Sequence, residues 1–164
     1  MACIAPPPPV IEATVLVTIG SPLTAVFTPT AASAPYVKPN GDLDFGCFKA
    51  PIKVILHISQ SPADAGIVFY AGYNGSGAPL TFLDDNTSAN PKRSVNGPHH
   101  QFPGGISGAG QTTISFTYHN DWDGGQGDGA KRDPVSRYGL RFYSDTGGYI
   151  GDVDPIVNNG GNQN

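Results

Sequence analysis

An all-β fold, specifically an antiparallel β-sandwich of immunoglobulin-like architecture, is what this sequence predicts, on three observations. Charged residues make up only 13% of the chain, so the Glu, Lys and Arg that lace helical surfaces at i,i+4 spacing are scarce. Twenty-two glycines and sixteen prolines supply turns at high density. Between the turns run about eight short segments that alternate apolar and polar residues, as the strands of a sandwich do. A jelly roll shares these features and is the alternative. The absence of self-similarity at a period of about 20–50 residues argues against a propeller or solenoid.

The elements follow in order. Pro6 to Pro9 form a stiff polyproline II arm, so residues 1–9 are expected to be a spacer leading into the first strand. Residues 12–19 alternate strictly, with Ala13, Val15, Val17 and Ile19 on one face and Glu12, Thr14 and Thr18 on the other. After Gly20-Ser21-Pro22 a second strand covers residues 23–28, and Asn40-Gly41 marks a tight turn before Leu43, Phe45 and Phe48. Residues 52–59 form the most apolar strand. Ile52, Val54, Leu56 and Ile58 share its inward face and Ile55 is apolar on the other, which predicts a central strand covered on both sides. His57 lies on the outer face of this strand, as a packed or hydrogen-bonded group rather than a ligand.

Two more short strands are expected at 66–72 and 80–83, around the turn at Tyr73-Asn74-Gly75-Ser76-Gly77. The stretch 84–110 has no apolar periodicity and reads as a long loop, a kind of segment often tied to function. Residues 113–119 and 137–144 alternate cleanly, and the turn Asp145-Thr146-Gly147-Gly148 returns the chain through residues 149–153. A turn at those four residues sets Arg141 opposite Asp152 on the outward face and Leu140 opposite Val153 inside. From Asn158 onward the chain is Asn, Gly and Gln, a flexible tail. The organisation is therefore an arm at 1–9, one domain at 10–157 and a tail at 158–164, and 164 residues suffice for a single core without staples.

A set of these features resembles the bacterial DP-EP family of small proteins. The features are the first alternating strand, the Gly-Ser-Pro turn leading to Val26-Phe27-Thr28-Pro29, Asn40-Gly41-Asp42, the apolar strand at 52–58, and the closing Asp154-Pro155-Ile156-Val157-Asn158. That resemblance, with a looser one to inclusion-body proteins, implies an immunoglobulin-like sandwich with no assigned reaction or cofactor, so no catalytic residue carries over. Segments 86–110 and 121–129 depart from the family pattern.

The chemically densest stretch is His119-Asn120-Asp121-Trp122-Asp123-Gly124-Gly125-Gln126-Gly127-Asp128-Gly129. Asp121, Asp123 and Asp128, with Asn120 and backbone carbonyls, supply the hard oxygens that calcium takes in sets of about six to eight. An EF-hand register starting at Asp121 fails at Gly125, Gln126 and Arg132, and the nonapeptide calcium repeat occurs once with its aspartate one residue early. The alternative is a solvated turn using Asp and Gly for their tolerance of left-handed backbone. Trp122, the only tryptophan, either caps the core or presents its face to a sugar ring or another subunit.

Enzyme motifs are missing: no nucleophile elbow, no phosphate-cradling loop, no His-Glu-x-x-His and no Cys-x-x-Cys. His99, His100 and His119 do not form a convincing site, because adjacent histidines point to opposite sides of an extended chain. A net charge of −4 with scattered Lys and Arg argues against nucleic acid. No apolar run approaches the roughly 20 residues of a membrane helix, and the start of the chain lacks a signal-peptide pattern, so a cytoplasmic location is expected, with non-classical export left open. Cys3 and Cys47 then read as free thiols.

Two functions follow as expectations. One is a structural or self-associating β-sandwich, a homo-oligomer or assembly favoured by low surface charge and an unprotected sheet edge. The other is a calcium-assisted carbohydrate-binding module that uses Trp122, Asn120, the aspartates of 121–128 and nearby tyrosines on a glycan.

Overall fold

The described residues form twelve strands in the computed structural model, which describes residues 8–45, 51–69, 80–84, 93–95, 106–107, 111–118, 135–153 and 155–158. Of residues 80–84, 93–95, 106–107, 135–137 and 158 it describes the backbone alone. In chain order the strands are β1 (Val10–Thr18), β2 (Thr24–Pro29), β3 (Leu43–Asp44), β4 (Ile52–Ile58), β5 (Ile67–Phe69) and β6 (Leu80–Asp84). They continue with β7 (Arg93–Val95), β8 (Ile106–Ser107), β9 (Thr113–Tyr118), β10 (Val135–Ser144), β11 (Tyr149–Val153) and β12 (Ile156–Asn158). No helix among the described residues is long and apolar enough to cross a membrane.

Five strands make one sheet in the order β2-β1-β4-β9-β8, and seven make the other around β10. Period-2 patterning buries one face of each central strand. In β1 these are Ile11, Ala13, Val15 and Val17; in β4, Ile52, Val54, Leu56 and Ile58; in β9, Ile114, Phe116 and Tyr118. Burying each large aliphatic side chain contributes about 1.5–3 kcal/mol. Tyr138, Leu140 and Phe142 of β10 complete the same core, with ring pairs Phe116–Tyr138 at 5.6 Å and Phe45–Tyr118 at 5.2 Å.

The sheets are mixed, not purely antiparallel as expected. β1 runs parallel to β4, from Val10↔Lys53 to Val15↔Ile58, and β12 runs parallel to β3. A strand's alternation is the same in either direction, whereas a parallel neighbour requires a long crossover, here the chain between Thr18 and Ile52. The expected loop at 84–110 holds β7 and β8, which are too short for a period to show. β4 is central, between β1 and β9, but its second face is partly open: Lys53 is exposed, and Ile55 and His57 are half-buried. Some edges are blunted, although β11, five residues long, is paired with β10 alone among the described strands. On β2 the Phe27 N–H donates to the Pro39 carbonyl at 2.8 Å and Pro29 has no N–H to offer, while β3 and β8 are two residues long and β7 three.

β10 is the spine of the larger sheet. On one side it pairs with β6 and then β5, where Leu140↔Leu80 and Phe142↔Phe69 bring two separate segments into one line. On the other it pairs with β12 and then β11. The β10–β11 register is the expected one, Leu140↔Val153 and Arg141↔Asp152, with a bulge beyond Phe142 that sets Tyr143 opposite Tyr149.

A buried tie joins distant parts of the chain. The Tyr138 hydroxyl donates to the Gly41 carbonyl, the Tyr138 N–H donates to the Pro155 carbonyl at 3.0 Å, and Asp42 Oδ1 accepts the Ile156 N–H at 3.0 Å. The Asn40-Gly41-Asp42 turn and the closing segment therefore meet, although Asp42 and Ile156 are 114 residues apart. Gly41 is required there. Its φ is +90°, and a Cβ would stand 2.6 Å from the Phe27 ring and 2.9 Å from Pro155.

A second device was not foreseen. Beyond the end of the β1–β4 pairing, the 3₁₀ turn Pro62–Asp64 places Asp64, 3% exposed, so that its Oδ1 accepts the Val17 N–H at 2.9 Å. The carboxylate thus takes the place of a strand partner for an otherwise orphaned buried donor.

Candidate functional site

The residues singled out for calcium and sugar, Asn120, Asp121, Trp122, Asp123 and Asp128, lie outside the described residues. So do His99, His100, His119, Cys3, Cys47, the arm up to Pro7 and the tail beyond Asn158. Among the described residues no group of three or more His, Cys, Asp or Glu is arranged to hold a metal ion. Two surface constellations carry chemistry instead.

The first is on the outer face of the five-stranded sheet. Parallel pairing sets Thr14 opposite His57, and antiparallel pairing sets His57 opposite Thr113, so β1, β4 and β9 bring their outward side chains into one row. Glu12, one outward position back on β1, reaches His57: its Oε1 lies 2.6 Å from Nε2, while Thr113 Oγ1 lies 2.9 Å from Nδ1. A carboxylate only accepts, so Nε2–H is the donor and, in the neutral ring, Nδ1 accepts the threonine hydroxyl. Both ring nitrogens are engaged within the sheet, in keeping with His57 as a hydrogen-bonded group.

Around this row the face is apolar and threonine-rich. Leu16 and Val26 are direct cross-strand partners, 38% and 46% exposed, flanked by the pairs Thr14–Thr28 and Thr18–Thr24. Val10 stands at the other end of β1, 41% exposed. Glu12 and Lys53 are the charged residues among the outward positions of β1, β2, β4 and β9.

The second constellation lies on the outward face of the β10–β11 hairpin. Leu140 and Phe142 point into the core, so Arg141 and Tyr143 point out. Tyr149, 57% exposed, meets Tyr143 edge-on, with ring centroids 5.4 Å apart and planes at 66°. Its hydroxyl donates to Asp152 Oδ1. That hydrogen bond to a carboxylate, more than the slight burial of the ring, pushes the Tyr149 hydroxyl up to about 12, and nearby Arg141 opposes the shift. At the turn, Ser144 Oγ and Thr146 Oγ1 are 3.0 Å apart and Ser144 Oγ accepts the Gly148 N–H at 2.8 Å, so the hairpin end is held. Gly151 sits against Leu23, where a Cβ would come within 2.9 Å, which presses this hairpin onto the segment leading into β2.

Sequence reasoning placed Arg141 opposite Asp152 but not the tyrosine pair, which depends on the bulge. It missed the Glu12–His57 contact because that rests on the parallel pairing. Comparison with protein-family models, with curated proteins and with solved structures finds no match to this chain.

Proposed function

We propose that this chain is a non-enzymatic structural protein that associates with copies of itself through the outer face of the five-stranded sheet. The observation that carries this reading is the exposed Leu16–Val26 cross-strand pair, set in a nearly uncharged surface of threonines. A second copy is the natural occupant. A weakly charged face meets its own two-fold image without like-charge repulsion, and the blunted β2 edge beside it favours contact face to face over an added strand there. Strand spacings make the face of β2, β1, β4 and β9 about 19 Å by about 30 Å, roughly the small end of specific interfaces, so a weak, concentration-dependent oligomer is expected. Within this reading the two sheets form an immunoglobulin-like sandwich of the kind the DP-EP resemblance implies.

Sedimentation velocity from micromolar to millimolar protein tests it. The weight-average mass should rise with concentration, and a Leu16→Lys/Val26→Lys variant should stay monomeric while keeping its melting temperature, since both side chains are exposed. A mass that stays monomeric throughout, or a variant that associates like the parent, overturns the proposal.

A further inference from the structure

We infer that the β10–β11 hairpin carries a binding platform for an uncharged pyranose chain, built from Tyr149, Tyr143, Asp152 and Arg141, separate from the face proposed for self-association. Tyr149 is a large aromatic ring, 57% exposed, yet restrained at two points: its edge-on contact with Tyr143 and its hydroxyl bond to Asp152. A large exposed ring held in place loses little rotamer freedom on binding, the property that makes tyrosine an efficient contact residue.

The groups around that ring match a sugar. A pyranose offers an apolar C–H face to lay on the aromatic plate and a rim of hydroxyls that both donate and accept. Asp152, exposed beside the ring, accepts hydroxyl protons, and Arg141, cross-strand from Asp152, donates to hydroxyl oxygens. Ser144 and Thr146 extend the polar rim at the turn.

Charge and shape narrow the ligand class. Asp145 and Asp152 outnumber Arg141 on this hairpin, and with the net charge of −4 they disfavour an anionic ligand such as a phosphate backbone and leave an uncharged one. The platform lies along two paired strands, so a chain of several sugar units can run beside Tyr149 and reach both Asp152 and the turn.

The test is titration of the full chain with neutral hexasaccharides (cellohexaose, xylohexaose, mannohexaose and maltohexaose), followed by calorimetry and by NMR shifts of the Tyr149 ring. Saturable millimolar binding to at least one of them is expected. Tyr149→Ala should weaken it by about tenfold or more, Asp152→Ala severalfold, and Tyr149→Phe, which keeps the ring, by no more than about threefold. Matching thermal melts will show that each variant is folded. Absence of saturation with all four sugars overturns the inference, as does binding that Tyr149→Ala leaves intact. A Tyr149→Ala variant that loses self-association while sugars have no effect assigns the hairpin to a protein interface instead. The sheet-face variant Leu16→Lys/Val26→Lys should bind sugar like the parent, so the two proposals fail separately.

Discussion

Tyr138 and Tyr149 flank the same hairpin and do the same chemistry in opposite surroundings. Each donates its hydroxyl to an oxygen acceptor, the Gly41 carbonyl for Tyr138 and the Asp152 carboxylate for Tyr149. Each is held protonated above the ordinary tyrosine range, Tyr138 well above it chiefly by burial and secondarily by Asp42, Tyr149 chiefly by its hydrogen bond. The difference lies in what happens when the bond is lost. Around Tyr138 no solvent replaces it, and the turn at Gly41, β10 and β12 all depend on it. Around Tyr149 water replaces it at little cost, so the ring and its carboxylate are available for other partners. Burial makes one tyrosine architectural, and exposure leaves the other free to bind.

The sharpest way to break that comparison is to remove the fit around Tyr138's acceptor. Gly41→Ala forces a side chain into a φ of +90° and within 2.6 Å of the Phe27 ring. Backbone strain of about 1–3 kcal/mol and overpacking of about 1–3 kcal/mol act together, so urea unfolding should show a loss of roughly 2–6 kcal/mol. An effect below about 1 kcal/mol means that the turn relaxes freely, and that the tie is not architectural. Tyr138→Phe comes next. It leaves the Gly41 carbonyl buried without its donor, which costs about 1–3 kcal/mol by the same measurement.

How far this contrast was legible in the sequence depends on range. The hairpin register followed from one turn, Asp145 to Gly148, and the observed pairs Leu140↔Val153 and Arg141↔Asp152 are the ones that turn dictates. The inward faces of β1, β4 and β9 followed from period-2 alternation, because burial on one side of a pleat leaves that signature whatever the neighbours are. Direction and partner leave none. Hence the parallel β1–β4 pairing was unforeseen, and with it the approach of Glu12 to His57, 45 residues away. Tyr138 and Gly41, 97 residues apart, were both seen as parts of local elements, but nothing local links them. At the hairpin the outward side of Arg141 and Asp152 was readable, whereas the pairing of Tyr143 with Tyr149 needs a bulge that a regular ladder would not contain. The calcium and sugar residues expected at 120–128 lie outside the described residues, so the tyrosine platform rests on different side chains.

Raising the pH sharpens the comparison in a single titration. Both tyrosines have folded pKa values raised above 10.0, so the stability each contributes is fully present below pH 10 and falls as pH rises from there through the folded values. Ultraviolet difference spectra should show Tyr149 ionising reversibly near pH 12 in the folded chain, and Asp152→Asn should bring that step down towards 10. Tyr138 should ionise only as the protein unfolds, and a reversible early ionisation of Tyr138 would show that the tie is open to water.

The smallest expected effect is the most discriminating. Tyr149→Phe removes a hydroxyl bond at an exposed position, and surface changes of that kind lie within about 0.5 kcal/mol. The same atom deleted at Tyr138 should cost severalfold more, so the two variants measured side by side isolate the role of burial from the role of the bond. Losses of equal size would mean that the Tyr149–Asp152 bond braces the hairpin as firmly as the buried tie braces the core.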